Sequence, residues 1–305
     1  MRISTVVCTY KRPDILHRSL KSLATQTLSS SNYEVIVVFD KNDVETAAVI
    51  DEHATDIPNL ELCHDEGRGL SYARNIGFNA AEGEYVAFLD DDANAEPEWL
   101  ETLLHTFETV SPTPNCVGGP VRPDFETEVP WWMPSSLPGL PVCMFGDEAR
   151  WLSFPDEQII GANMAYPRQF LIDTGGFQTD LGRKDGTLLS NEEVVLQAAA
   201  AAGAGIYYQP DAGVDHFIGS HRLTLRYLVS RHYWQGISDC RVDPSTATEA
   251  TDKQRGRSLR EGVPRAIRVL GSKLFSGNVS SCVMVGLWTA YIVGYLRERL
   301  MNIIR

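Results

Sequence analysis

The chain has 305 residues, room for one large α/β domain with an appendage or for two domains. Hydrophobic residues make up 43% and charged residues 22%, a globular balance that excludes a largely disordered chain. The net charge of -13 repels phosphate backbones, so nucleic acid is excluded as a general partner.

Residues 3–9 are a β-rich run suited to a buried parallel strand, too short and too β-branched for a signal peptide. That start predicts a cytosolic catalytic part. Pro13 fits the first turn of a helix in which Ile15, Leu16, Leu20 and Leu23 recur at helical spacing. A second strand is predicted over 34–39, ending at Asp40, then a helix over 46–53 and a short third strand over 60–63. After the Gly67–Gly69 break, 70–81 reads as a helix and 85–89 as a fourth strand running into three aspartates. An amphipathic helix follows over 97–110. Residues 111–160, with WWMP at 131–134, read as a long irregular insert with a strand near Val117. Beyond it come a strand-like run at 158–165, a helix around 167–174, a Gly175–Gly176 turn, a loop to Leu189, a helix over 192–202 and a strand over 206–208. From Leu223 the pattern is helical, with a polar, linker-like stretch at 241–258.

Strands alternating with helices over the first 110 residues predict a parallel, doubly wound sheet, in which ligands sit beyond the carboxyl ends of strands. Thr9, Asp40 and Asp90–Asp92 all fall at such ends, so one crevice is expected to hold them. Three consecutive carboxylates repel one another unless something positive binds them. Oxygen ligands suit Mn2+ or Mg2+, and Asp90 and Asp92 share a side if the strand geometry continues. A solvated acidic turn is the plain alternative.

Around this triplet the chain resembles the family 2 glycosyltransferases. GLSYARNIGFNAAEGEYVAFLDDD at 69–92 is similar to the family's central signature, and VVCTYKRP at 6–13 to its opening strand and loop. IIGANMAYPRQFLIDTGGFQTDLGRKDGTLLSNEEVVL at 159–196 is similar to its acceptor-side segment. The resemblance covers residues 3–236, least at 111–157. It implies a GT-A nucleotide-diphospho-sugar transferase fold and inversion at the anomeric carbon.

Carried over by position, the resemblance lays Thr9, Tyr10 and Arg12 along the nucleotide and has Asp40 accept from the base N–H, usually of uracil. The family's Asp-x-Gly-Ser stands here as Asp40-Lys41-Asn42-Asp43, which loosens the inference about the base. Arg74 and Asn75 match an Ala-Arg-Asn signature, with the Arg74 guanidinium meeting the diphosphate; an ion pair from Arg74 to the triplet is the structural alternative. Gly69 and Gly77 allow close backbone approach. Asp90 falls near the ribose or the metal, Asp92 on the metal, and Asp91 in the same nucleotide-sugar site. Glu193 matches the catalytic base that takes the acceptor's proton, with Glu192 beside it in the acceptor pocket; simple helix capping is the alternative. His216 resembles a histidine that completes the metal site in some members, and Arg222 is expected to reach the leaving diphosphate. Gly161, Ala162 and Asn163 resemble the turn lining the sugar pocket. Trp131 and Trp132 either stack on an acceptor sugar or isoprenoid chain, or anchor their loop.

Residues 279–296 carry no charge for eighteen positions, the lower limit for a spanning helix. Flanking Arg265, Arg268, Lys273, Arg297 and Arg299, with Trp288, Tyr291 and Tyr295 inside, suit a membrane interface. We expect association with the cytoplasmic face of the cell membrane, spanning or lying flat, with a buried core helix as the alternative. A lipid-linked glycan on dolichol- or undecaprenol-phosphate fits as acceptor, and a nucleotide-sugar as donor. The expected organisation is a catalytic domain at 1–222, donor half 1–110 and acceptor half 111–222, followed by a helical region at 223–305.

The six cysteines show no C-x-x-C spacing and read as small buried hydrophobes in a reducing compartment. Lys occurs at six positions only, against 21 Arg. Acidity with scarce Lys matches salt-accumulating archaea, for which protein N-glycosylation or an S-layer glycan is the natural setting; an ordinary acidic bacterial protein is the alternative. A nucleotidyltransferase also uses a strand-end Asp pair, but its early Gly-rich basic loop is replaced here by CTYKRP. A catalytically inactive nucleotide-binding scaffold is the non-enzymatic alternative.

Overall fold

Apolar strand residues of this chain feed two different cores, one on each face of a single sheet. The computed structural model describes residues 1–57, 59–179, 192–242 and 279–304. They fall into two units: residues 1–124, 141–179 and 192–217 make the first, and 125–140, 218–242 and 279–304 the second.

In the first unit, β1 (Ile3–Cys8), β2 (Tyr33–Asp40), β3 (Leu60–Asp65) and β4 (Tyr85–Asp90) are parallel, in the order β3-β2-β1-β4. Side chains alternate across a strand. Ile3, Val7, Val35, Val37, Ala87 and Leu89 therefore enter one core, and Val6, Ile36, Val38, Val86 and Phe88 the other. The first core is closed by α1 (Pro13–Ala24), α2 (Val44–His53) and α4 (Trp99–Thr109), through Leu16, Leu20, Ile50, Trp99 and Phe107. The second is closed by α3 (Leu70–Ala80) and α6 (Glu193–Ala201), through Ala73, Phe78, Val195 and Leu196. Helices on both faces of the sheet are the doubly wound arrangement.

Past β4 the sheet is mixed. β9 (Asn163–Pro167) runs antiparallel between β4 and β6 (Cys116–Gly118), placing Asn163 opposite Leu89. β10 (Ile206–Tyr208) is parallel to β6, and β8 (Arg150–Trp151) closes the edge antiparallel. The short α5 (Arg168–Thr174) ends in left-handed Gly175. A second sheet has the order β5-β11-β7, from β5 (Ala93–Ala95), β11 (Val214–Ile218) and β7 (Val121–Phe125). The irregular stretch expected at 111–160 thus contains β6, β7 and β8.

In the second unit, the 3-10 turn Ser220–Arg222 leads into α7 (Leu225–Val242), and α8 (Val279–Ile304) packs against α7. The Tyr291 hydroxyl donates to Asp239 Oδ2 at 2.8 Å, and Arg241 Nε to Glu298 Oε1 at 2.8 Å. α8 is the one described helix long and apolar enough to cross a membrane.

Candidate functional site

The site begins where β1 and β4 end side by side, with Cys8 in register with Asp90. The residues after each strand therefore meet. Thr9 donates through Oγ1 to Asp91 Oδ2 at 2.8 Å. Arg12, at the start of α1, reaches both following carboxylates, Nη1 to Asp91 Oδ1 at 2.7 Å and Nη2 to Asp92 Oδ2 at 2.6 Å. Burial pushes Asp91 up to about 7, against the pull of Arg12 and the Thr9 hydrogen bond and with help from Asp92. Burial also works against the charge on Arg12, but Asp91 and Asp92 outweigh it and hold Arg12 above its ordinary value.

Asp92 turns its other oxygen toward His216. The link is the second sheet: β5 pairs antiparallel with β11, setting His216 opposite Ala93, and Phe217 N donates to the Asp92 carbonyl at 2.7 Å. His216 Nε2 stands 3.0 Å from Asp92 Oδ1 and 3.9 Å from Asp90 Oδ2. Its Nδ1 lies 3.0 Å from the Phe217 carbonyl oxygen. A carbonyl only accepts, so Nδ1 carries hydrogen there. Nε2 is then the nitrogen left to face the carboxylates, where it ion-pairs with Asp92 as the imidazolium or, as the neutral ring, offers its lone pair to a cation held between them. One ligand atom from each of Asp90, Asp92 and His216 lies within 4.8 Å of the others. Two carboxylate oxygens, and an imidazole fixed by a backbone acceptor, make a donor set that fits Mn2+ or Mg2+.

Arg74 borders the same carboxylates from α3. Its Nη2 donates to Asp90 Oδ1 at 3.1 Å and to the Gly161 carbonyl at 2.9 Å, and Nη1 lies 3.7 Å from Glu192 Oε2. The guanidinium also sits 5.6 Å from the centre of the Phe177 ring. Gly161 permits this contact, since a Cβ there would stand 2.6 Å from Nη2. Asn75 grips Phe177 from both ends of its amide, donating to the carbonyl at 2.7 Å and accepting from N at 2.8 Å.

The base end is built differently. Asp40 Oδ1 accepts from Asn42 N and Nδ2 at 2.9 and 3.0 Å. Asp43 caps α2 through Thr46 and accepts from Lys11 N at 3.1 Å, tying the loop after β1 to the loop after β2. Those hydrogen bonds more than offset its burial and hold Asp43 below the usual carboxylate value. Tyr10 is exposed, with Lys11 Nζ 5.1 Å from its ring centre. Gly69 precedes α3 at φ 107°, in the region that favours glycine.

The structure thus brings together Thr9, Arg12, Arg74, Asp90, Asp91, Asp92, Gly161, Glu192 and His216. Ala162 and Asn163 follow Gly161 and, like it, are buried. The Asn163 amide lies in the core, accepting from Trp99 Nε1 at 2.9 Å and donating to the Ala212 carbonyl at 2.8 Å. The backbone of Glu193 opens α6, and its side chain lies outside what is described. Arg222, buried, and Trp131 and Trp132, exposed and half-buried, belong to the second unit. Sequence reasoning missed Asp43 as a clamp between loops; its place three residues before Thr46, at a helix start, was the available signal.

Residues 4–175 match the family described as Glycosyl transferase family 2. The chain is 34% identical over 260 residues to the glucosyl-dolichyl phosphate glucuronosyltransferase of Haloferax volcanii, covering 83% of this chain and 81% of the relative. Its fold is similar to a mannosyltransferase from Pyrobaculum calidifontis solved with GDP-Man and Mn2+, with a TM-score of 0.61 at 16% identity, covering 97% and 86% of the two chains. It is also similar to S. aureus TarS 1-349 in complex with UDP, with a TM-score of 0.57 at 16% identity, covering 99% and 92%.

Proposed function

Because the chain belongs to glycosyl transferase family 2, and is a glycosyltransferase with a GT-A fold, we propose that it moves a sugar from a nucleoside diphosphate, UDP in our reading, to a lipid-linked acceptor. The observation that carries the proposal is the convergence of Asp90, Asp92 and His216 at the carboxyl end of the sheet, bordered by Arg12 and Arg74. Neither a nucleotidyltransferase nor an inactive scaffold is favoured by the family match.

Asp90, Asp92 and His216 would hold the divalent cation, which supplies Lewis acidity to the charge growing on the departing diphosphate. Arg74 is placed to offer donors to the same diphosphate, from a guanidinium already oriented by Asp90 and Gly161. Thr9, Tyr10 and Asp40 line the nucleotide side. Glu193 takes the proton of the acceptor hydroxyl as its oxygen bonds to the anomeric carbon. The bond from that carbon to the diphosphate breaks on the opposite face, which inverts the centre. The glucosyl-dolichyl phosphate in the name of the H. volcanii relative supports a lipid-linked acceptor, and with it work at a membrane, on the cytoplasmic face in our reading. Residues 1–222 form the catalytic domain in this reading, with 223–305 as the membrane-associated region.

The test is a thermal-shift panel of UDP- and GDP-sugars, with and without Mn2+, on the wild type and Asp92→Asn. A UDP-sugar should raise the melting temperature of the wild type more with Mn2+ than without, and Asp92→Asn should lose that increment. Equal shifts with and without Mn2+ would refute the metal site, and a response to GDP-sugars alone would refute the choice of base.

A further inference from the structure

The helix α8 is long enough to cross a bilayer, yet what it binds argues against crossing. Tyr291, at the middle of its apolar stretch, is hydrogen-bonded to Asp239 of α7, and Glu298 is paired with Arg241 of α7. The two helices touch backbone to backbone. A Cβ on Gly236 would fall on the Tyr291 carbonyl oxygen, and one on Gly294 on that of Tyr233. A spanning α8 would carry α7 into the hydrocarbon, with Arg226, Arg231, Asp239 and Arg241. Ionised groups at that depth are strongly disfavoured.

The remaining surface of α8 is not that of a core helix, because only 22% of its most apolar stretch is buried. Every position from Val279 to Ile303 in steps of three and four is exposed and uncharged. Five of these eight are the apolar Val279, Val293, Leu296, Leu300 and Ile303, and the other three are small. At 1.5 Å per residue the stripe is about 36 Å long and one helix face wide. Residues 243–278, which join α7 to α8, hold seven Lys and Arg against four Asp and Glu, in a chain with 40 acids and 27 bases. Arg297 and Arg299 flank the stripe near its end.

We propose that the α7–α8 pair is an interfacial anchor. α8 lies along the surface of an anionic membrane with Val293, Leu296, Leu300 and Ile303 in the acyl boundary, while α7 covers its polar side. This anchor rests on the membrane-associated reading above and specifies how the association is made. An uncharged stripe flanked by Arg297 and Arg299 matches an apolar boundary beneath anionic headgroups. The ion pair and glycine contacts make α7 and α8 one rigid wedge.

The full-length protein should co-sediment with phosphatidylcholine vesicles containing phosphatidylglycerol, more weakly with phosphatidylcholine alone, and should be released by alkaline carbonate. Leu296→Glu/Leu300→Glu should lower partitioning at least tenfold, whereas Ile172→Glu, on the exposed surface of α5, should not. The thermal shift with donor should be unchanged in the stripe variant, so loss of that shift in the wild type marks failure of the transferase reading instead. Unchanged vesicle binding in the stripe variant would overturn the proposal. Retention of the wild type after carbonate would show that α8 spans. A wild type that ignores vesicles would show that the stripe is covered by another copy or by residues 243–278, and would equally overturn it.

Discussion

Replacing Asn163 with Ala should cost far more stability than a residue in a ligand-lining turn would. The side chain is fully buried and joins three segments of the first unit. Its Oδ1 accepts from Trp99 Nε1 at 2.9 Å, and its Nδ2 donates to the carbonyls of Ala212 at 2.8 Å and Pro120 at 3.3 Å. Truncation leaves those three groups without this partner, and Trp99 is itself fully buried. A buried polar group deprived of its partner costs ~1–3 kcal/mol. The Pro120 carbonyl still accepts from Val214 N at 3.0 Å, so only the other two groups count and the loss should be about 2–6 kcal/mol. At roughly 2–4 °C per kcal/mol, the melting temperature should fall by on the order of 10 °C. Asn163→Asp should do at least as badly, since a buried carboxylate would face two carbonyl oxygens. Urea unfolding followed by tryptophan fluorescence measures both. A loss below about 1 kcal/mol for Asn163→Ala would refute the reasoning.

Two further outcomes test other contacts. Gly161→Ala puts a methyl 2.6 Å from Arg74 Nη2, so the guanidinium must leave Asp90 or the Gly161 carbonyl; titration calorimetry with UDP should show affinity reduced about tenfold, roughly 1.4 kcal/mol, and an unchanged Kd would count against Arg74 as a diphosphate ligand. His53, buried beside His17 with its Nε2 3.1 Å from His17 Nδ1, is held below the ordinary histidine value by burial first and by His17 second. The folded state then binds this proton less readily than the unfolded chain, so stability is full above the ordinary value of about 6.5 and falls as pH drops toward the lowered one. The difference in urea midpoint between pH 8 and pH 5 should shrink in His53→Leu; an identical difference would remove the histidine pair as its source.

The strands that carry the donor side were legible because each is a dense apolar run, buried on both faces. That is why 3–9, 34–39 and 85–89 could be placed almost to the residue. β5 and β8 are three and two residues long, too short for any period to show, and both exist only through distant partners. The same reason hides the work of Arg12. Its motif placed it along the nucleotide, while its contacts reach carboxylates 79 and 80 positions away. α8 runs to Ile304, past the end of the unbroken uncharged run at Leu296, because Glu298 finds Arg241 across the helix pair, a compensation invisible to a count of charges along one segment.

The pairing of β5 with β11 also sets a time at which the molecule becomes competent. Asp90, Asp92 and the Thr9 and Arg12 that hold the triplet all lie within the first hundred residues. His216, however, comes 126 positions after Asp90, and the Phe217 bond to the Asp92 carbonyl cannot form before it. At synthesis rates of about 5–20 residues per second, a nascent chain carries an incomplete candidate cation site for on the order of ten seconds. A half-made chain therefore lacks the full candidate donor set of Asp90, Asp92 and His216.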